Sequence, residues 1–162
     1  MTNIEKASKE VRITYDINAP RELVFKAWTD PVQLKKWYAP DGCSIEISKM
    51  DLHKNGIFHH CIIIPGGKKC WCKGTYLEII APEKLVFSMV VSDEQGNNVD
   101  PVAAGMDPEW PAETIVSVRF SEQNGKTTID LHQTVSEDLA KRTGAYPSWI
   151  LMLDILKRTL KS

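Results

Sequence analysis

The segment "HHCIIIPGGKKCWCKG", residues 59 to 74, holds two of the chain's four histidines and three of its four cysteines. Imidazole and thiolate ligate zinc and softer metals, and two apposed thiols can close a disulfide. Gly66 and Gly67 read as a turn, so the segment is a β-hairpin whose chemistry depends on which residues share a face. With Gly66-Gly67 as a two-residue tip, opposed positions keep a constant sum: Ile64 faces Lys69, Ile63 faces Cys70, Ile62 faces Trp71 and Cys61 faces Cys72. One face then carries His59, Cys61, Ile63, Cys70 and Cys72. The other carries Phe58, His60, Ile62, Ile64, Trp71 and Lys73.

Three readings are open for the cysteine face. Zinc needs ligand atoms at about 2.0–2.3 Å from one centre, and the Cys-x-Cys spacing is not the usual knuckle. Side chains on neighbouring strands are also spread over roughly 4.5–8 Å. A cross-strand Cys61–Cys72 disulfide suits an oxidising compartment. Buried thiols acting as small hydrophobes suit a reducing one. The expectation is thiols, with no metal and no cofactor.

On the other face, Phe58 and Trp71 are large residues that a sheet turns toward a covering helix. His60 is there the only side chain whose ordinary pKa lies near neutrality, which makes it the candidate general acid or base. Lys73 and Gln133 are the further polar candidates. His132 falls on a wet face opposite Ser117 and His53 in the "DLHKNG" turn. Neither has a partner that suggests a triad, and there is no phosphate loop or nucleophile elbow.

The elements that position these residues follow from periodicity. "VRITYDI" alternates as a strand, and two short helices come next. The first has Pro20 in its first turn and Val24, Ala27 and Trp28 on one face. The second has Asp30 as N-cap, Pro31 after it, Gln33 reaching back as in a capping box, and Leu34 and Trp37 inward. Six strands then run from Cys43 to Thr134. In the last hairpin Asn124-Gly125 is the turn, Val116, Val118 and Phe120 share a face with Ile129, Leu131 and Gln133, and Arg119 meets Asp130 on the other. Such alternation predicts an antiparallel sheet wet on one side.

Ser136 is the expected N-cap of a final helix that becomes strongly amphipathic after Pro147. Trp149, Met152, Leu153, Leu156 and Leu160 form its stripe, with Asp154, Lys157, Arg158 and Lys161 outward. Gly144 and Pro147 predict a break or kink near its start. The segment "SDEQGNNVDPVAAGMDPEWPA", 92 to 112, is a long loop of the kind that forms lids, with Met106 and Trp110 as apolar anchors.

At 162 residues, 43% of them hydrophobic, the chain suits one domain, with its core at about 11–160. A net charge of −1 supplies no basic field for nucleic acid or anionic lipid. A start without an apolar h-region, and no apolar stretch of about 20 residues, give the expectation of a cytoplasmic protein that does not span a membrane.

The motifs "INAPRELVFKAWTDPVQLKKWYAP", "MDLHKNGIF", "KGTYLEIIAPEKLVFS" and "SWILMLDILKRTL", in that order, resemble the family named after the activator of the ninety-kilodalton heat-shock protein's ATPase. That family lies within the START-like (SRPBCC) superfamily, and the resemblance covers about Val11 to Leu160. It implies an α+β helix-grip fold: a curved antiparallel sheet of about seven strands around a long C-terminal helix, with a cavity between them. Combined with the face assignments, it gives an expected ligand site. Phe58, His60, Trp71, Lys73, Phe87 and Met89 come from the middle strands, and Val118, Phe120, Leu131 and Gln133 from the last hairpin. Trp149, Met152, Leu153 and Leu156 face them from the helix, with Trp37 beside it. The expected partner is a small hydrophobic ligand, lipid-like or aromatic. A cyclase- or hydrolase-type enzyme using His60, and a module that contacts a chaperone, are the alternatives. Cys70, Cys72 and Tyr76 on the outer sheet face suggest a monomer or weak homodimer.

Overall fold

The computed structural model describes residues 9–40 and 42–160; Lys161 of the expected outer helix face lies outside them. In chain order the elements are β1 (Glu10–Ile17), α1 (Arg21–Thr29), α2 (Pro31–Leu34), β2 (Ser44–Met50), β3 (Ile57–Ile63), β4 (Lys69–Ile80), β5 (Lys84–Val91), β6 (Glu113–Gln123), β7 (Lys126–Ser136), α3 (Glu137–Thr143) and α4 (Ala145–Leu160). The seven strands form one antiparallel sheet in the order β1-β7-β6-β5-β4-β3-β2. Consecutive hairpins build it from β2 to β7, and β1 closes the far edge, with Ile13 opposite Leu131 and Tyr15 opposite Ile129. The sheet curves around α4, which is the helix-grip arrangement expected from the motifs.

The alternation of β6 and β7 shows directly in burial. Val116, Val118, Phe120, Ile129 and Leu131 are buried on the concave face, while Arg119 opposes Asp130 on the other. The register is the expected one, because Asn124 and Gly125 both have positive φ, 56° and 77°, as a two-residue hairpin turn requires.

The helices cap differently from expectation in two details. Pro20 is the N-cap of α1, with φ −63° and ψ 150°, and not its first helical residue. The Asp30 carboxylate accepts from the Val32 N–H at 3.2 Å and opens α2, as expected. Its own N–H donates to the Lys26 carbonyl at 2.9 Å and closes α1, so the amide that a capping box would offer to Gln33 is already taken. This tight junction brings Trp28 and Trp37 edge to face at 4.7 Å, and Trp28 stacks on Trp149 of α4 at 6.2 Å.

The predicted interruption near Gly144 is a full break. The Ser136 hydroxyl accepts from the Leu139 N–H at 3.2 Å and starts α3, and Gly144 ends it in the left-handed region at φ 92°. Pro147 falls in the first turn of α4, where its missing N–H leaves no helical bond unmade. Trp149, Met152, Leu153 and Leu156 are buried against the sheet. At the other edge the Tyr15 hydroxyl donates to the Asp154 carboxylate and ties α4 to β1.

The β3–β4 register differs from expectation by one residue. Ile63 faces Lys69, Ile62 faces Cys70, Cys61 faces Trp71, His60 faces Cys72, His59 faces Lys73 and Phe58 faces Gly74. The loop has three residues, Pro65 to Gly67: the Ile64 N–H donates to the Lys68 carbonyl at 3.0 Å, and the Gly67 N–H to the Ile64 carbonyl at 3.0 Å. A two-residue tip would make Pro65 the closing pair of the hairpin, and Pro65 has no N–H to give. Because side chains alternate with period two, this slip transfers β4 wholesale to the opposite face. Cys70, Cys72 and Tyr76 are therefore concave, with Phe58 and His60, and Trp71 and Lys73 are convex, with His59 and Cys61. The Cys61–Cys72 pairing, the shared face of the cysteines, and an outer patch of Cys70, Cys72 and Tyr76 available for dimerisation are all overturned.

Candidate functional site

Sheet, α4 and the 92–112 segment enclose a cavity of about 820 Å³. The sheet contributes Ile62, Cys70, Cys72 and Met89, α4 contributes Ala145, Ser148, Trp149 and Met152, and the loop contributes Ala103 to Met106 and Trp110 to Ala112. The lining is mainly apolar. Its charged residues are Lys68 and Lys69, exposed at the hairpin tip, which mark the mouth. Met106 and Trp110 both line the cavity. The loop is held to α3 by Arg142, whose Nη2 lies 3.3 Å from Asp107 Oδ2 and 3.6 Å from Glu109 Oε1.

Polar side chains in the wall divide into paired and unpaired. Gln133 is paired at both ends of its amide: its Nε2 donates to Thr114 Oγ1 at 3.1 Å, and its Oε1 accepts from Trp149 Nε1 at 2.9 Å. This buried chain of bonds locks α4 to β6 and β7. By contrast, the Ser92 hydroxyl is buried without a partner. His60 stacks on Phe58 at 5.4 Å and meets Tyr38 edge to face at 5.6 Å, and both His60 and Tyr38 border the cavity.

Burial governs the electrostatics. Desolvation, with a smaller contribution from neighbouring His59, pushes the His60 pKa down to about 4, so its imidazole is neutral near neutral pH. Burial pushes the Cys72 thiol up to about 12 and the Tyr38 hydroxyl far above its usual range. These groups can hydrogen-bond. They are poorly matched to proton transfer or nucleophilic attack, which need pKa values near the working pH.

The expected site residues separate into three sets. His60, Met89, Gln133, Trp149 and Met152 border the cavity. Phe58 and Phe87 border a smaller void of about 30 Å³ beside it. Val118, Phe120, Leu131, Leu153 and Leu156 are solid core at 0–2% exposure. So is Trp37, whose indole N–H donates to the Ala27 carbonyl at 2.9 Å. Trp71 and Lys73 are the corrections. Trp71 touches the cavity boundary, but its ring stacks at 4.7 Å on His59, on the convex face. Lys73 Nζ donates to the Gly96 carbonyl at 2.7 Å, also on that side, where His59 Nε2 donates to the Asp93 carbonyl at 3.0 Å. The sequence reading missed Tyr38, Cys70, Cys72, Thr114 and Ser148. The two cysteines were recoverable from the one signal overlooked, Pro65 at the end of β3.

Among the described residues no group of three or more His, Cys, Asp or Glu side chains is arranged to hold a metal ion. Among the same residues no helix is long and apolar enough to cross a membrane.

Comparison with solved structures gives the same fold throughout the chain. A Chromobacterium violaceum protein aligns with TM-score 0.78 and 19% identity, over 95% of this chain and 99% of its own. One from Staphylococcus epidermidis aligns with TM-score 0.78 and 21% identity, over 95% and 90%. A Silicibacter pomeroyi protein described as AHSA1 aligns with TM-score 0.71 and 16% identity, over 94% and 97%. Curated proteins yield no match. The profile of the family described as "Activator of Hsp90 ATPase homolog 1-like protein" matches residues 18–161, nearly the whole helix-grip unit. The chain belongs to that family.

Proposed function

We propose that the protein binds a small, largely apolar molecule in the cavity between the concave sheet face and α4. The observation that carries this reading is the cavity itself: about 820 Å³, lined mostly by apolar side chains, within the ~300–1,000 Å³ usual for small-molecule sites. The 92–112 segment serves as its lid, with Met106 and Trp110 as the apolar underside. Binding without chemistry is favoured over the cyclase or hydrolase alternative, because His60, Tyr38 and Cys72 are all held neutral by burial.

A thermal-shift panel of lipids, polyketides and aromatic metabolites tests the reading, followed by titration of the best compound against Met152→Trp, which fills the cavity from α4. The expected result is stabilisation by one chemical class and loss of binding in the variant. Undiminished binding by a folded Met152→Trp protein overturns it. Turnover of the bound compound that is lost in His60→Ala would instead establish the enzyme. The chaperone-directed reading, which rests on the family's description, is tested by ATPase stimulation of the cognate chaperone.

A further inference from the structure

Tyr38 and His60 stand where two hollows meet. Both border the cavity of about 820 Å³ and also the void of about 30 Å³, and no other described residue borders both. Each is more than nine-tenths buried, at 6% and 5% exposure. No hydrogen bond of the described residues uses the Tyr38 hydroxyl or the His60 ring nitrogens, and none of them is among the fully enclosed unpaired atoms, which are Arg21 Nε, Trp28 Nε1 and Ser92 Oγ, so they open on the hollows beside them. A buried polar group left unpaired costs stability, so native structures normally supply a partner from protein, water or ligand. The same wall shows what a completed network looks like, in Gln133 with Thr114 and Trp149. Tyr38 and His60 stand without one, as does the Ser92 hydroxyl elsewhere in the wall.

The chemistry of the two groups defines the missing partner. A phenol offers one O–H donor, and a neutral imidazole one donor and one acceptor. Together they suit a ketone oxygen receiving two hydrogen bonds, or a hydroxyl that receives one and gives one. Among the described residues an anion has no free cation to meet here, since the lysines of the larger cavity are at the hairpin tip and Lys49, which borders the smaller void, is paired with Asp51 at 3.5 Å. We propose that Tyr38 and His60 form the polar end of the ligand site and take one neutral oxygen of an otherwise apolar ligand. This rests on the reading that the cavity holds a ligand. The competing role is to hold an ordered water in the smaller void, which is large enough for one.

The test uses the full chain and two probes of one shape, 2-acetylnaphthalene and 2-isopropenylnaphthalene, in which a methylene replaces the ketone oxygen. Isothermal titration calorimetry with wild-type protein should show the ketone binding about tenfold tighter, the worth of a well-made buried hydrogen bond. Tyr38→Phe and His60→Leu should each remove most of that preference and leave the hydrocarbon's affinity nearly unchanged. Tyr38→Phe deletes one oxygen and keeps the ring against Trp37 at 5.3 Å and Trp149 at 6.0 Å. Should one variant not fold, the other decides, because the preference must fall in either. Equal affinity for the two probes, or a preference that survives both substitutions, overturns the inference and leaves the cavity reading standing. Binding of neither probe overturns both.

Discussion

A proton on His60 would place a cation between the Phe58 and Tyr38 rings with no acidic side chain among the described residues of the cavity wall to answer it. Its pKa is about 4 in the folded chain against 6.5 when unfolded, so the unfolded state binds the proton more readily. The stability this confers is fully present above pH 6.5 and is lost progressively as pH falls toward 4. The loss expected from His60 across that window is on the order of 3 kcal/mol. Urea unfolding of wild type and His60→Leu at a series of pH values checks it: the variant should show a shallower decline. Gln133 supports a second expectation. Gln133→Leu strands the Trp149 indole N–H and removes the donor to Thr114, which should cost about 2 kcal/mol, read from the urea midpoint. At this scale the sequence was legible where a residue's type determines its place, as with Met89, Trp149 and Met152. Gln133 borders the cavity as well, but that its amide is spent on Thr114 and Trp149 was not legible; a bond between residues on different elements leaves no mark on composition.

The hairpin of β3 and β4 shows how one element decides the exposure of its side chains. With β4 moved to the opposite face, Cys70 lies exposed at the mouth, Cys72 lies in the wall with its thiol pushed up to about 12, and Cys61 is buried on the convex side. Limited alkylation with iodoacetamide at mildly alkaline pH, followed by peptide mass spectrometry, should label Cys70 well before Cys72 and Cys61. Oxidation should give no Cys61–Cys72 disulfide, since the two thiols point to opposite faces. For the loop, the prediction concerns local opening. Arg142→Ala removes two exposed ion pairs, which are worth at most about 1 kcal/mol together, so the melting temperature should barely move. Hydrogen exchange of residues 100 to 112 should nevertheless quicken severalfold, because the pairs join that loop to α3. The loop itself was legible from its prolines, glycines and length. Its latch was not, because Arg142 reads simply as a cation in the last turn of a helix.

For the whole molecule, sheet and α4 share the cavity, so a ligand that fills it acts on both. A ligand at one hundred times its Kd should stabilise the protein by about 2.7 kcal/mol and slow exchange in α4 and the central strands together; slowing confined to the loop would place the ligand elsewhere. The order of strands and helices, the concave face of β6 and β7, the Gly144 break and the inward stripe of α4 all followed from the sequence alone. Each depends on local periodicity, or on backbone limits such as a missing N–H, that a residue carries wherever it stands. Only the tertiary structure decided that Val118, Phe120, Leu131, Leu153 and Leu156 fill the core while Met89, Trp149 and Met152 face a hollow. It also set Tyr38, four residues beyond the last residue of α2, beside His60 of β3. A void is a property of the distance between packed surfaces, and no single strand or helix encodes that distance.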